Sequence, residues 1–158
     1  MTDAITYFIT WTTYGTWLPG DARGWRKTGN GNMLPQPRLA EWCRNRLSEQ
    51  PVVLTLAQRL KVETVCQAHA GIRGWILHAV QARSNHVHLV VTADKAPKTV
   101  RDQFKANATR VLREAPDAIT NKTVWTQGGD CEVIDGEENL ERVVQYVLEA
   151  QDRMDRDS

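Results

Sequence analysis

One run, Asn85-His86-Val87-His88-Leu89-Val90-Val91, constrains the fold more than any other stretch of the chain. It combines β-branched residues and leucine with neither Gly nor Pro, the composition of a buried strand. Side chains alternate along a strand, so Val87 and Leu89 face a core while His86 and His88 share the other face, roughly 6.6–6.8 Å apart along the axis. Two imidazoles at that spacing can converge on a single divalent ion. An isolated His-x-His is more often a pair of ordinary hydrogen-bonding histidines, so the rest of the chain must decide between the two.

Around this run the elements fall in a readable order. Residues 5–13, Ile-Thr-Tyr-Phe-Ile-Thr-Trp-Thr-Thr, are β-branched or aromatic throughout and predict a strand. Residues 14–34 are rich in Gly and carry Pro19, predicting a long irregular loop. Residues 37–50 and 55–70 predict two helices separated near Gln50-Pro51, with a turn over Gly71–Gly74. Trp75 to Arg83 reads as a strand joined to the histidine strand by a tight Ser84-Asn85 connection. A helix follows Asp94-Lys-Ala-Pro97 and runs to about Glu114, where Pro116 stops it. Residues 117–130 form a loop anchored by Trp125, and Cys131–Ile134 a short strand. Asp135 with Glu138 three residues later makes a capping-box pattern for a last helix, whose apolar arc is Leu140, Val143, Val144, Val147 and Leu148.

At 158 residues with 41% hydrophobic content, the chain suits one domain with a real core. Its boundaries are 1–152, with 14–34 as a loop insertion and 153–158 as a charged tail. A net charge of +1 makes any nucleic-acid surface a local patch. Cys43, Cys66 and Cys131 are odd in number and scattered, which favours reduced thiols and a cytoplasmic location over a disulfide scaffold. Neither a signal peptide nor a membrane span is expected.

Two basic regions are candidates for DNA contact. The loop carries Trp17 and Trp25 beside Arg23, Arg26 and Lys27, a mixture of aromatic faces and cations that suits unpaired bases and phosphates, although the tryptophans could equally tuck the loop onto the body. On the helix after Pro97, Lys98, Arg101, Lys105 and Arg113 form a stripe that is either solvated surface or a phosphate-facing side. His78 reads as a sheet-face histidine, and His69 has no evident partner in the sequence. Tyr146 lies on the flank of the last helix's apolar arc. Gln151 lies near the middle of that arc, where a buried amide needs partners.

Taken together, Ser-Asn-His-Val-His-Leu-Val-Val, the basic helix, Trp125 and Glu-Asn-Leu-Glu-Arg-Val-Val-Gln-Tyr146-Val-Leu-Glu resemble the single-tyrosine HUH transposases. That group comprises small insertion-sequence transposases and REP-associated tyrosine transposases. The resemblance covers residues 5–152 and is weakest over 14–70. It implies an α+β, ferredoxin-like fold: a four-stranded antiparallel sheet with helices packed on one face, plus a C-terminal helix carrying the tyrosine. It also implies that His86 and His88 hold Mg²⁺ or Mn²⁺ and that Tyr146 attacks a phosphate of single-stranded or hairpin DNA, leaving a 5′-phosphotyrosine. The family's further ligand usually follows the tyrosine by four residues, and that position is Ala150 here. Gln151 is the expected replacement, with Glu149 as the alternative. A homodimer sharing the site is compatible with the sequence. Two rival readings remain: a domesticated DNA-binding protein without turnover, and a metal-dependent phosphoesterase in which Tyr146 is structural.

Overall fold

The structure, a computed structural model, describes residues 3–27 and 31–149. Strand β1 (Ile5–Thr12) forms where β-branched and aromatic residues alternate, and it buries every second side chain. Next come two three-residue strands, β2 (Trp25–Lys27) and β3 (Gly31–Met33), which pair antiparallel as a separate small sheet. The expected irregular loop over 14–34 therefore contains a hairpin. Its strands are too short, and too close to Gly24 and Gly31, to show a period.

Helix α1 (Pro37–Asn45) starts with proline in its first turn and is shorter than expected. Its end tightens into i−3 bonds, Arg46 N–H to Cys43 and Leu47 N–H to Arg44. Helix α2 (Leu56–Arg73) opens on a true capping box, in which the Thr55 hydroxyl and the Gln58 amide each accept from the other's backbone N–H. It runs through Gly71 and stops at Gly74, whose φ of 72° is the left-handed cap that glycine permits. The turn expected over Gly71–Gly74 is thus only its last residue.

Strands β4 (Ile76–Ala82) and β5 (His86–Ala93) are joined by the tight connection, closed by Arg83 N–H to the His86 carbonyl at 2.8 Å. Helix α3 (Pro97–Leu112), strand β6 (Asp130–Val133) and helix α4 (Glu137–Glu149) complete the order. The Asp135 capping box does not form as expected. The first helical bond of α4 runs from Leu140 N–H to the Gly136 carbonyl, so Gly136 takes the capping position.

The four long strands make one antiparallel sheet in the order β4-β5-β1-β6. Its register sorts the side chains. Tyr7, Ile9 and Trp11 lie opposite Val91, Leu89 and Val87. These six join Val62, Val65 and Cys66 of α2 and Val100, Phe104 and Leu112 of α3 in the main core. Burial pushes the Cys66 thiol up to about 12. The reverse face carries Phe8, Thr10 and Thr12 opposite Val90, His88 and His86. Helix α4 covers part of it through a smaller cluster of Ala79, Val90 and Val147, flanked by Phe8, Ile134, Leu140, Val143 and Val144. The fold is the expected α+β sheet with α2 and α3 on one face, and the tyrosine helix lies on the other. Among the described residues no helix is long and apolar enough to cross a membrane.

Candidate active site

The reverse face of the sheet gathers the residues that carry chemistry. His86 and His88 are 0% and 1% exposed, with ring centroids 5.0 Å apart. Their common face follows from strand periodicity, but their burial does not. The Asn85 side-chain oxygen lies 3.0 Å from His86 Nδ1, a contact that orients the imidazole. The Asn85 carbonyl in turn accepts from the Thr13 backbone at 2.9 Å and the Thr13 hydroxyl at 3.2 Å, which locks the start of β5 to the end of β1.

Helix α4 brings Tyr146 to the same place. Its ring stands edge-on to His88 at 6.0 Å and to Phe8 at 6.2 Å, and the residue is 46% exposed. A nucleophile candidate with one side against an imidazole and the other open to solvent can receive a large substrate. Gln81 is the residue that sequence reasoning missed. It pairs across the strands with His88, and its side-chain amide lies 2.8 Å from the Val147 carbonyl and 3.3 Å from the Leu148 carbonyl, an arrangement that is satisfied when the nitrogen faces α4 and donates to both. It thereby ties the turn after Tyr146 to the sheet. Only a long-range register could have revealed it, since a strand glutamine has no signature of its own.

Among the described residues no group of three or more His, Cys, Asp or Glu could hold a metal ion. Two imidazoles, one oriented by a hydrogen bond, fit as two ligands of a divalent ion and do not complete a set. Ala150, Gln151 and the tail 153–158 lie outside the described residues. Glu149 is exposed and accepts a hydrogen bond from Gln145 at 3.0 Å, on the side away from the sheet.

The basic candidates divide. On α3, Lys98 is exposed. Lys105 donates to the carbonyls of Thr126 (2.9 Å) and Gly128 (2.8 Å), and Arg101 to that of Gly129 (3.3 Å). Burial, with the nearby Arg101 charge, holds the Lys105 ammonium below its ordinary value. Arg113 likewise caps the carbonyls of Ile119, Asn121 and Lys122. Most of the expected phosphate stripe therefore braces loops. In the insertion, Arg23 lies 4.3 Å over the Trp17 ring, pairs with Asp21 at 2.7 Å and donates to the Thr16 carbonyl at 2.7 Å. Trp25 is pinned through its indole N–H to the Leu34 carbonyl at 2.9 Å. Arg26 meets Asp130 of β6 at 3.0 Å, and Lys27 is exposed.

His78 and His69 have structural partners, Thr92 at 2.7 Å and Gln103 at 2.8 Å respectively.

Comparison with known proteins bears on the chemistry. The family model described as "Transposase IS200 like" matches residues 46–150, more than half of the chain. No curated protein matches it. A REP-associated tyrosine transposase bound to a REP hairpin shares the fold, with a TM-score of 0.55 and 13% identity. That match covers 92% of this chain, which spans 65% of the other protein's length. A candidate transposase from Deinococcus radiodurans R1 is also similar, at a TM-score of 0.47 and 12% identity, with 93% of this chain and 91% of that one covered.

Proposed function

The chain belongs to the family of IS200-like transposases, and from that premise we propose that it cleaves and rejoins single-stranded or hairpin DNA in DNA transposition. The carrying observation is the juxtaposition of Tyr146 with His88 across two elements far apart in the chain. On this reading the Tyr146 oxygen attacks a backbone phosphorus, the bond to the 3′ oxygen breaks, and the strand leaves with a 3′-OH. The 5′ end stays on the tyrosine as a phosphodiester, so a later attack by a 3′-OH reverses the step without an external energy source. His86 and His88 would hold Mg²⁺ or Mn²⁺, which supplies Lewis-acid polarisation of the phosphate. Gln151 is the proposed oxygen ligand. His88 and Phe8 flank the ring of Tyr146, while its exposed side leaves room for DNA.

The test is a gel assay of a labelled hairpin oligonucleotide incubated with protein and Mn²⁺. A denaturation-resistant adduct is expected with the native chain and none with Tyr146→Phe, which lacks the nucleophile. Cleavage by Tyr146→Phe without an adduct would overturn the mechanism and favour a phosphoesterase. A second reading has one supporting observation: the position four residues after Tyr146, where the family usually has a further ligand, is Ala150. It makes the protein a DNA-binding relative without turnover, and it predicts hairpin binding with no adduct at any Mn²⁺ concentration.

A further inference from the structure

We propose that the groove between the β2–β3 hairpin and the Thr126–Asp130 segment is a channel for an unpaired DNA strand, with Trp25 as the surface on which a base stacks. This rests on the reading that DNA reaches the histidines, and it assigns where the unpaired bases lie. The groove is open to solvent and offers about 1240 Å³. Small-molecule clefts span ~300–1,000 Å³, so the space suits a polymer segment better than a metabolite.

Its position points at the chemistry. The sheet register lines up Gln81, His88, Thr10 and Asp130 in one row across β4, β5, β1 and β6, all on the reverse face. Thr10 and Asp130 line the groove. The groove's lining at Thr10 thus belongs to the strand next to the histidine strand, one inter-strand spacing of roughly 4.7–4.9 Å away. Gly129 lets that wall lie against the sheet, since a side chain there would meet the Thr10 carbonyl at 2.7 Å.

The lining has the chemistry of a single-strand site. Trp17 is a fixed wall, bonded through its indole N–H to the Gly24 carbonyl at 2.7 Å and covered by Arg23. Trp25 is bonded through its indole edge to the Leu34 carbonyl and stays partly exposed. Every base has a π-face, so such a ring binds unpaired bases with little sequence preference. Arg26 and Lys27 supply charge at the rim. The Arg26–Asp130 pair spans the groove with both side chains more than half exposed, and an ion pair in that setting yields readily to a phosphate.

The experiment is binding of a labelled short oligothymidylate to the full chain in chelator, read by anisotropy, so that it is independent of cleavage. An abasic strand of equal length, a blunt duplex and oligouridylate are the comparisons. Oligothymidylate should bind more tightly than the abasic strand and the duplex. Trp25→Ala should weaken it about 5- to 150-fold, the loss of one stacked base, and Trp25→Phe should restore most of it. Trp42→Ala, on α1 outside the groove, should change nothing. Asp130→Asn should tighten binding and steepen the salt dependence by about 0.7 in log–log slope, because Arg26 is released to a phosphate. With a bromouracil-substituted strand and the native chain, light should cross-link Trp25. Equal binding of the abasic strand, preference for duplex or uridylate, or cross-links only outside the groove would overturn the proposal. Tight thymidylate binding in chelator, together with no adduct in the separate Mn²⁺ hairpin assay, would leave the channel standing and remove the cleavage reading.

Discussion

His88 is held at 1% exposure between Phe8 and Tyr146, so it cannot be removed as cleanly as a surface ligand. His88→Ala should cost about 1–3 kcal/mol of stability, seen as a Tm lower by roughly 2–4 °C per kcal/mol, together with loss of any Mn²⁺-dependent adduct. A variant as stable as the native chain would contradict the packing described above. Lys105 gives the sharper contrast with Lys98. Its ammonium already holds two loop carbonyls, so Lys105→Met should leave the salt slope of DNA binding unchanged while loosening the Thr126–Gly129 segment. Lys98→Ala should lower that slope by about 0.7 if Lys98 touches a phosphate. The shared face of the two histidines was legible because a period of two fixes it. The work of Lys105 was not, because helical angle gives the direction of a side chain but not the loop that returns to meet it.

At the scale of elements, the end of α4 is the most informative. Gln81→Leu keeps a similar volume and removes both donations to the Val147 and Leu148 carbonyls. Single-turnover adduct formation should slow by about 10-fold or more, as geometry at the reacting atoms loosens, with DNA affinity unchanged. An equal loss of affinity would mean that Gln81 touches DNA. The insertion makes a separate prediction. Burial alone would raise the Asp21 carboxyl, but the hydrogen bonds and charge of Arg23 outweigh it and hold the group below its ordinary value. Stability from a depressed carboxylate is present above the unfolded value and is lost as pH falls through the folded one. The Trp17–Arg23 assembly should therefore stay fixed near neutrality and loosen below about pH 4. Tryptophan fluorescence should show a reversible acid change that Asp21→Asn lacks. The helices themselves were readable in sequence but their caps were not: the box expected at Asp135 does not form, and the one at Thr55 and Gln58 was not anticipated. The β2–β3 hairpin was not, because three-residue strands beside glycines carry no pattern.

Across the whole molecule, stability should be graded by how each element is bound. β5 and β1 are paired on both sides and buried beneath two helices, whereas α4 rests on the smaller reverse-face cluster. Amide exchange should be slowest in β1 and β5 and markedly faster in α4 and the hairpin; uniform protection would refute this ranking. The four strands of the main sheet could be read from their β-branched composition, whereas their antiparallel pairing was implied by the family resemblance. The placing of α4 on the face opposite α2 and α3 could not be read, since its arc of valines fits either side equally well. That placing has a consequence for synthesis. Tyr146 lies far beyond His88 in the chain, after β6, and meets it only when α4 docks against β4 and β5. A growing polypeptide thus displays both histidines and the DNA groove before it possesses a nucleophile. On the proposed reading, an interrupted chain can occupy DNA but cannot cut it, and the capacity to break a strand arrives with the last helix to dock.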